Sequence, residues 1–290
     1  MNKKIKSENS VIKILMLDDE RSTIDAVIGS FDDEKMFIYG TTDPFDALEK
    51  IKSNEYDLFV TDYLMKPING DEVIERIRKF DDMIYIILLT GHAEIVSPKE
   101  TFKRLDIQYY CEKGKFDTLS MCVESACRVI SAQKKLENIS EKLKHIISFI
   151  PTMYRVQNPL EILKIILPEI SYLFGIKDTF LLIDDVININ YGNKYLYYGL
   201  GKFNVTLEVF SHQFSDFFQN IEKDNYQKMF AEKEHGHVFH IKNKFIKKVG
   251  ILYLENKGFK YNEELMNIFI TLIESALENI FLYILYIEKE

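Results

Sequence analysis

The sequence predicts an α/β, doubly wound domain on a five-stranded parallel sheet, followed by an α+β domain with an antiparallel sheet. Three observations carry this. Residues 11 to about 127 alternate five times between short β-rich apolar runs and helical stretches. A helix pattern free of Gly and Pro then runs from Lys115 to Ile150. Beyond Pro151 the order becomes helix, strands in hairpin-like succession, and a closing helix.

In the first domain the strand candidates are 11–17, 35–39, 57–61, 83–89 and 107–111. Each is rich in Ile, Leu, Val, Phe or Tyr, as buried parallel strands are. Helical stretches lie near 21–31, 43–53, 70–80, 93–105 and from 116 onward. Thr42-Asp43-Pro44 is a helix start with Pro in the first turn. In the last stretch Val129, Ala132, Leu136, Ile139, Leu143, Ile146 and Ile150 step by three and four. That is a heptad seam, expected to form a coiled-coil-like connector over 131–150 and to close at Pro151. A helix of ~50 Å outruns one small domain. The expected divisions are 11–130, 131–150 and 151–290.

In the second domain an apolar helix begins at Leu160 and ends near Gly175. Strands are expected at 179–183, 186–190, 194–198, 203–209, 237–241 and 247–254, with a hairpin turn at Tyr191-Gly192-Asn193. A mixed helix is expected over about 211–232 and a long one over about 261–287.

The 290 residues suffice for about two domains, and 47% hydrophobic with 28% charged residues is ordinary for a globular chain. A net charge of -8 argues against a large nucleic-acid footprint. Cys111, Cys122 and Cys127 have no paired or zinc-like spacing and fit a reducing compartment. No apolar signal core follows the basic start, and Glu274, Glu278 and Asn279 interrupt the greasy last helix. A cytoplasmic chain without membrane contact is expected.

The chemistry sits after the strands. Asp18-Asp19 follows the first, Asp62 the third, Thr90 the fourth, and Glu112-Lys113 the fifth. In a parallel sheet these carboxyl ends share one edge, where ligands bind. Adjacent carboxylates repel, and a divalent cation with hard oxygen ligands, Mg²⁺, relieves that repulsion. One carboxylate can then serve as a nucleophile toward a phosphoryl group. Singly, an Asp pair after a strand also reads as a helix cap.

Leu17-Asp18-Asp19-Glu20, Thr61-Asp62-Tyr63-Leu64-Met65-Lys66-Pro67-Ile68-Asn69-Gly70, Leu89-Thr90-Gly91 and Glu112-Lys113 resemble a response-regulator receiver domain, flavodoxin-like in fold, over 11 to about 130. The resemblance implies Asp62 as phosphoacceptor. It implies Mg²⁺ on Asp19, Asp62 and the backbone carbonyl of Leu64, with Asp18 acting through water. Lys113 would hold the phosphoryl oxygens, Thr90 would be the switch hydroxyl and Tyr110 the switch aromatic. A sensor histidine kinase or phosphotransfer protein would supply the phosphoryl group. Leu64 and His92 fall at positions that tune phosphoryl lifetime, and bulky Leu64 is expected to shield the group from water. Departures are Lys66 in place of a Pro, with Pro67 after it, Gly91 in place of Ala, and Gly114 where a Pro usually follows the lysine.

Residues from Lys248 to Asn256, Phe259 and the helix with Ala276 to Ile280 resemble the end of a GAF domain. The whole layout resembles regulators that join a receiver to a GAF-like domain and that often carry a cyclic-di-GMP phosphodiesterase domain after it. Pro98-Lys99-Glu100 fits that subgroup, but no His-Asp…Gly-Tyr-Pro or Gly-Gly-Asp/Glu-Glu-Phe signature occurs here. No output enzyme is therefore expected. Asn256-Lys257…Phe259…Glu263-Glu264 resembles a cyclic-nucleotide motif, and equally reads as a turn, a core Phe and an acidic helix start. Tyr191, Tyr195, Tyr197, Tyr198, Phe203 and Phe210 could line a pocket or fill a core. His235, His237 and His240 have no Cys or acidic partners nearby to complete a metal site.

The leading expectation is a homodimeric response regulator that signals through the 115–150 helix to an unknown downstream protein. The alternative is a cyclic-nucleotide sensor whose receiver acts as modulator.

Overall fold

The computed structural model describes residues 11–31, 35–53, 55–91, 103–156, 158–184, 194–215, 236–242, 250–255 and 261–287. The chain divides into two compact units, Met1–Asn138 and Ile139–Glu290.

Unit 1 contains β1 (Ile12–Leu17), α1 (Arg21–Ser30), β2 (Met36–Thr41), α2 (Pro44–Lys52), β3 (Leu58–Asp62), α3 (Gly70–Arg78), β4 (Tyr85–Thr90), β5 (Tyr109–Glu112) and the first part of α4 (Phe116–Arg155). The strands form one sheet in the order β2-β1-β3-β4-β5, every pair parallel. Alternate residues of a strand face opposite sides. Ile12, Ile14 and Met16 pack with Ile24 and Val27 of α1 and with Leu119, Val123 and Ile130 of α4. Leu15 and Leu17 pack with Ile51 of α2 and with Val73, Ile74 and Ile77 of α3. Both faces are thus covered, the condition for a parallel sheet. As expected, Asp43 caps α2 by accepting from the Phe45 N–H, with Pro44 behind it. The helix expected near 93–105 lies outside the described residues apart from its end at 103–105, and so do His92 and Pro98-Lys99-Glu100.

Unit 2 takes over within α4. It adds α5 (Pro159–Phe174), β6 (Thr179–Asp184), β7 (Tyr195–Leu200), a 3-10 turn (Gly201–Phe203), α6 (Leu207–Gln213), β8 (Gly236–Ile241), β9 (Gly250–Glu255) and α7 (Glu263–Ile287). Its strands form an antiparallel sheet in the order β7-β6-β9-β8. Asn158 caps α5 through the Leu160 and Glu161 N–H groups, and Gly175 ends it at φ 67.

Two expectations need correction. The alternating stretch 203–209 is a 3-10 turn followed by α6. Gly201 sits at φ +64, where a Cβ would strike the Lys177 carbonyl and the Asp178 carboxylate, so the chain turns away from the sheet there. The Thr206 hydroxyl then caps the new helix at the Val209 N–H. Nor does Pro151 end α4, which continues to Arg155. Buried Met153 and the Tyr154–Ser275 hydroxyl contact at 2.8 Å hold the last turn in place against the missing N–H.

The expected connector lies wholly inside α4, but its stripe is divided. Val129 and Leu136 are exposed, whereas Ile146 is buried. Tyr197, Phe203 and Phe210 pack in a core around Phe180, Tyr197 stacking on Phe210 at 4.5 Å, and the Tyr197 hydroxyl donates to the Phe203 carbonyl at 2.6 Å. The strand at 186–190, the turn at 191–193, most of the helix at 211–232, His235 and the segment Asn256 to Phe259 lie outside the described residues. By length and composition α7 could cross a bilayer, with a mean hydropathy of 1.8, yet one of its faces, including Leu265, Phe269, Ile273 and Leu277, is core.

Candidate functional site: an acidic cluster at the sheet edge

The parallel register brings the candidates together. Leu17 pairs with Thr61, Asp62 with Leu89, and Thr90 with Glu112, so β1, β3, β4 and β5 end side by side. Asp18, Asp19 and Asp62 offer carboxylate oxygens that lie within 4.8 Å of one another.

Their surroundings differ. Asp18 is fully buried, and its Oδ1 accepts the Glu20 N–H at 3.0 Å. Its Oδ2 is buried and faces the Lys113 ammonium at 2.9 Å as an ion pair. Asp62 is buried too; its Oδ1 accepts the Tyr63 N–H at 2.8 Å and its Oδ2 lies 2.7 Å from the same ammonium. Asp19 is exposed and accepts the Lys66 N–H at 3.4 Å. Burial pushes the Asp62 carboxyl above the usual range, and Lys113 only partly offsets this. Burial also works against the charge on Lys113, but bonds to Asp62 and Asp18 outweigh it and hold the ammonium above its ordinary value.

Lys113 pairs with two of the three clustered carboxylates, Asp18 and Asp62. Hard oxygens and excess negative charge suit a divalent cation such as Mg²⁺.

Thr90 is buried at the end of β4, and its carbonyl accepts the Lys113 N–H at 2.7 Å. Leu64 is 42% exposed beside the cluster. Tyr110 packs against the core cluster on one face of the sheet, and its buried hydroxyl has no hydrogen-bond partner among the described residues.

Asn69 and Gly70 enter the sequence reading only as part of the motif that starts at Thr61. Asn69 Oδ1 accepts the Met65 N–H at 3.4 Å and braces the loop that carries Leu64. Gly70 starts α3 so close to Asp62 that a Cβ would lie 1.9 Å from the Asp62 carbonyl oxygen. The Asn-Gly pair ahead of a helical pattern was the available signal.

A family model described as response regulator receiver domain matches residues 14–121. A second, described as domain of unknown function (DUF3369), matches residues 123–284, more than half of the chain. Among curated relatives, the uncharacterized transcriptional regulatory protein YesN of Bacillus subtilis is 27% identical over 150 residues, 49% of this chain and 40% of that protein. The phosphoglycerate transport system transcriptional regulatory protein PgtA of Salmonella typhimurium is 26% identical over 96 residues, 33% of this chain and 23% of that protein. The chain spans less than half the length of these relatives.

Among solved structures, the response regulator TrrA of Thermotoga maritima in complex with Mg²⁺-BeF is 30% identical, covering 40% of this chain and 98% of that one, with a TM-score of 0.36. The receiver domain of an HD domain-containing protein from Pseudomonas fluorescens is 18% identical, covering 42% and 98%, with a TM-score of 0.37. With a receiver domain in front and the second match spanning most of the remaining residues, the chain belongs to the DUF3369 family.

Proposed function

We propose that the chain is a phosphoacceptor response regulator. A histidine kinase or phosphotransfer protein phosphorylates Asp62, and α4 passes the change to a GAF-like second domain of a cytoplasmic homodimer with a protein partner downstream. The observation that carries this is Lys113, whose ammonium lies 2.7 Å from Asp62 and 2.9 Å from Asp18 among three clustered carboxylates.

Asp19, Asp62 and the Leu64 carbonyl would hold Mg²⁺ directly, and Asp18 through water. Bound there, the ion neutralises charge on the phosphoryl oxygens. A carboxylate oxygen of Asp62 attacks phosphorus as the bond from phosphorus to the donor nitrogen breaks, and the histidine ring departs with that electron pair. Lys113 keeps its charge and binds a phosphoryl oxygen. The Thr90 hydroxyl donates to another, and Tyr110, whose hydroxyl has no partner among the described residues, follows the move.

The sensor alternative is not favoured, because Tyr197, Phe203 and Phe210 pack against Phe180 in a core. Acetyl phosphate with Mg²⁺ tests the proposal, with intact-mass spectrometry as readout. One phosphoryl group on the wild type and none on Asp62→Ala is expected. An unlabelled wild type, or a variant that still takes the label, overturns it.

A further inference from the structure

The strongly exposed large apolar side chains of unit 2 are concentrated on three helices. Among the described residues, all except Val209 lie on α4, α5 or α7. On α4 they are Ile147, 64% exposed, and Tyr154, seven residues on and so on the same helical face. Tyr172 of α5 flanks one side of α4, its ring tilted against that of His145 with the centroids 5.3 Å apart. Ser275 of α7 flanks the other, joined to the Tyr154 hydroxyl. Ile268 and Leu282, each seven residues from Ser275, extend the face along α7. Folded chains that do not associate rarely expose a large contiguous apolar patch.

We infer that this face of α4 and α7 in unit 2 docks onto the same face of a second copy of the chain. Charge indicates the occupant. Over its described length α7 carries Glu263, Glu264, Glu274 and Glu278 and no Lys or Arg. The exposed charged residues of α4 within unit 2 are Lys144 and Arg155 against a single acid, Glu141. A two-fold pairing that sets α4 of one copy against α7 of the other brings cations to acids twice over. An anionic bilayer would instead meet an all-acidic α7, the reverse of a membrane-surface helix.

The inference deepens the homodimer part of the function proposed above. It does not depend on phosphoryl transfer, so either can fail alone.

The test is sedimentation equilibrium of the full chain at about 1–100 μM, on wild type, Ile147→Glu, Leu282→Glu and Lys144→Glu, with Asp62→Ala as control. A wild-type dimer is expected, its Kd raised about tenfold or more by each of the first three changes and unaltered by the control. Circular dichroism of each variant confirms that it is folded. A wild-type monomer at about 100 μM, or a dimer indifferent to both Ile147→Glu and Leu282→Glu, overturns the inference. So does a monomer that binds vesicles of phosphatidylcholine with phosphatidylglycerol.

Discussion

The Lys134 ammonium lies 2.6 Å from Asp57 Oδ2, and that same carboxylate oxygen accepts the Lys13 N–H at 2.9 Å. Asp57 immediately precedes β3, at the edge of the sheet opposite the acidic cluster. α4 is therefore fastened to the sheet by a side chain well beyond its last residue in the unit 1 core, Ile130.

The two partners differ in what they leave behind. Lys134→Ala lowers stability by about 0.5–1 kcal/mol, as for a partly exposed ion pair. Asp57→Ala also strips the Lys13 N–H of its acceptor and costs about 1–2 kcal/mol. Urea titration of both variants checks the order, and equal losses would refute the shared role of the carboxylate.

Stability against pH follows from the acidic cluster. The Asp62 carboxyl is raised by burial, so its contribution is fully present below the ordinary 3.8 and is lost as pH climbs through its higher folded value. Without metal, Asp62→Asn should therefore raise the melting midpoint at neutral pH by about 2–4 °C, with the gain fading in acid. Lys113, also raised, follows the same sign at the alkaline end of the scale. Its folded value lies above 10.5, so its contribution persists to that pH and disappears as alkali takes the ammonium through the folded value. Thermal melts from acid to alkali with chelator present test both signs. A variant less stable than wild type at neutral pH contradicts the first.

Gly70→Ala forces a Cβ against the Asp62 carbonyl oxygen, a backbone atom that cannot rotate away. A loss of about 2–3 kcal/mol is expected, together with slower labelling of Asp62, because relief requires moving that residue. Labelling kinetics at wild-type rate would show that the loop relaxes elsewhere.

The Tyr109 and Ser125 hydroxyls meet at 2.8 Å and tie β5 to α4 one residue from Tyr110. Tyr109→Phe and Ser125→Ala should each cost about 1 kcal/mol. The double variant should cost little more than either, since both remove the same bond. Full additivity in denaturant titration excludes a significant bond.

Pro151 stands inside α4 at an exposed position. Pro151→Ala restores a helical N–H and should stabilise unit 2 by about 1–3 kcal/mol. Calorimetry of the full chain would detect the shift, and a destabilised variant would mean that the proline ring contributes packing.

The acidic cluster was legible because strand ends and side-chain chemistry are local properties. Asp18, Asp62, Thr90 and Lys113 each follow an apolar run, and the parallel register that sets Thr90 opposite Glu112 then follows from βα alternation. Gly70 carried a weaker signal, because its need for a bare backbone comes from the Asp62 carbonyl, which its own neighbours do not announce. Stretch 203–209 misled for the same reason. Its alternation placed Phe203 in the core, but Phe203 arrives there by way of a glycine turn, and the capped helix that follows turns Phe210 inward as well.

The sequence by itself determined the order of elements, the doubly wound class of the first unit and the residue types available for phosphoryl chemistry, since periodicity and composition act over a few residues. Tertiary structure alone decided that α4 runs past Pro151, that Lys134 reaches Asp57, and that Ile146 is buried while Ile147 faces solvent. Those outcomes depend on which surfaces meet across long sequence separation, where packing overrides the preference of any single residue.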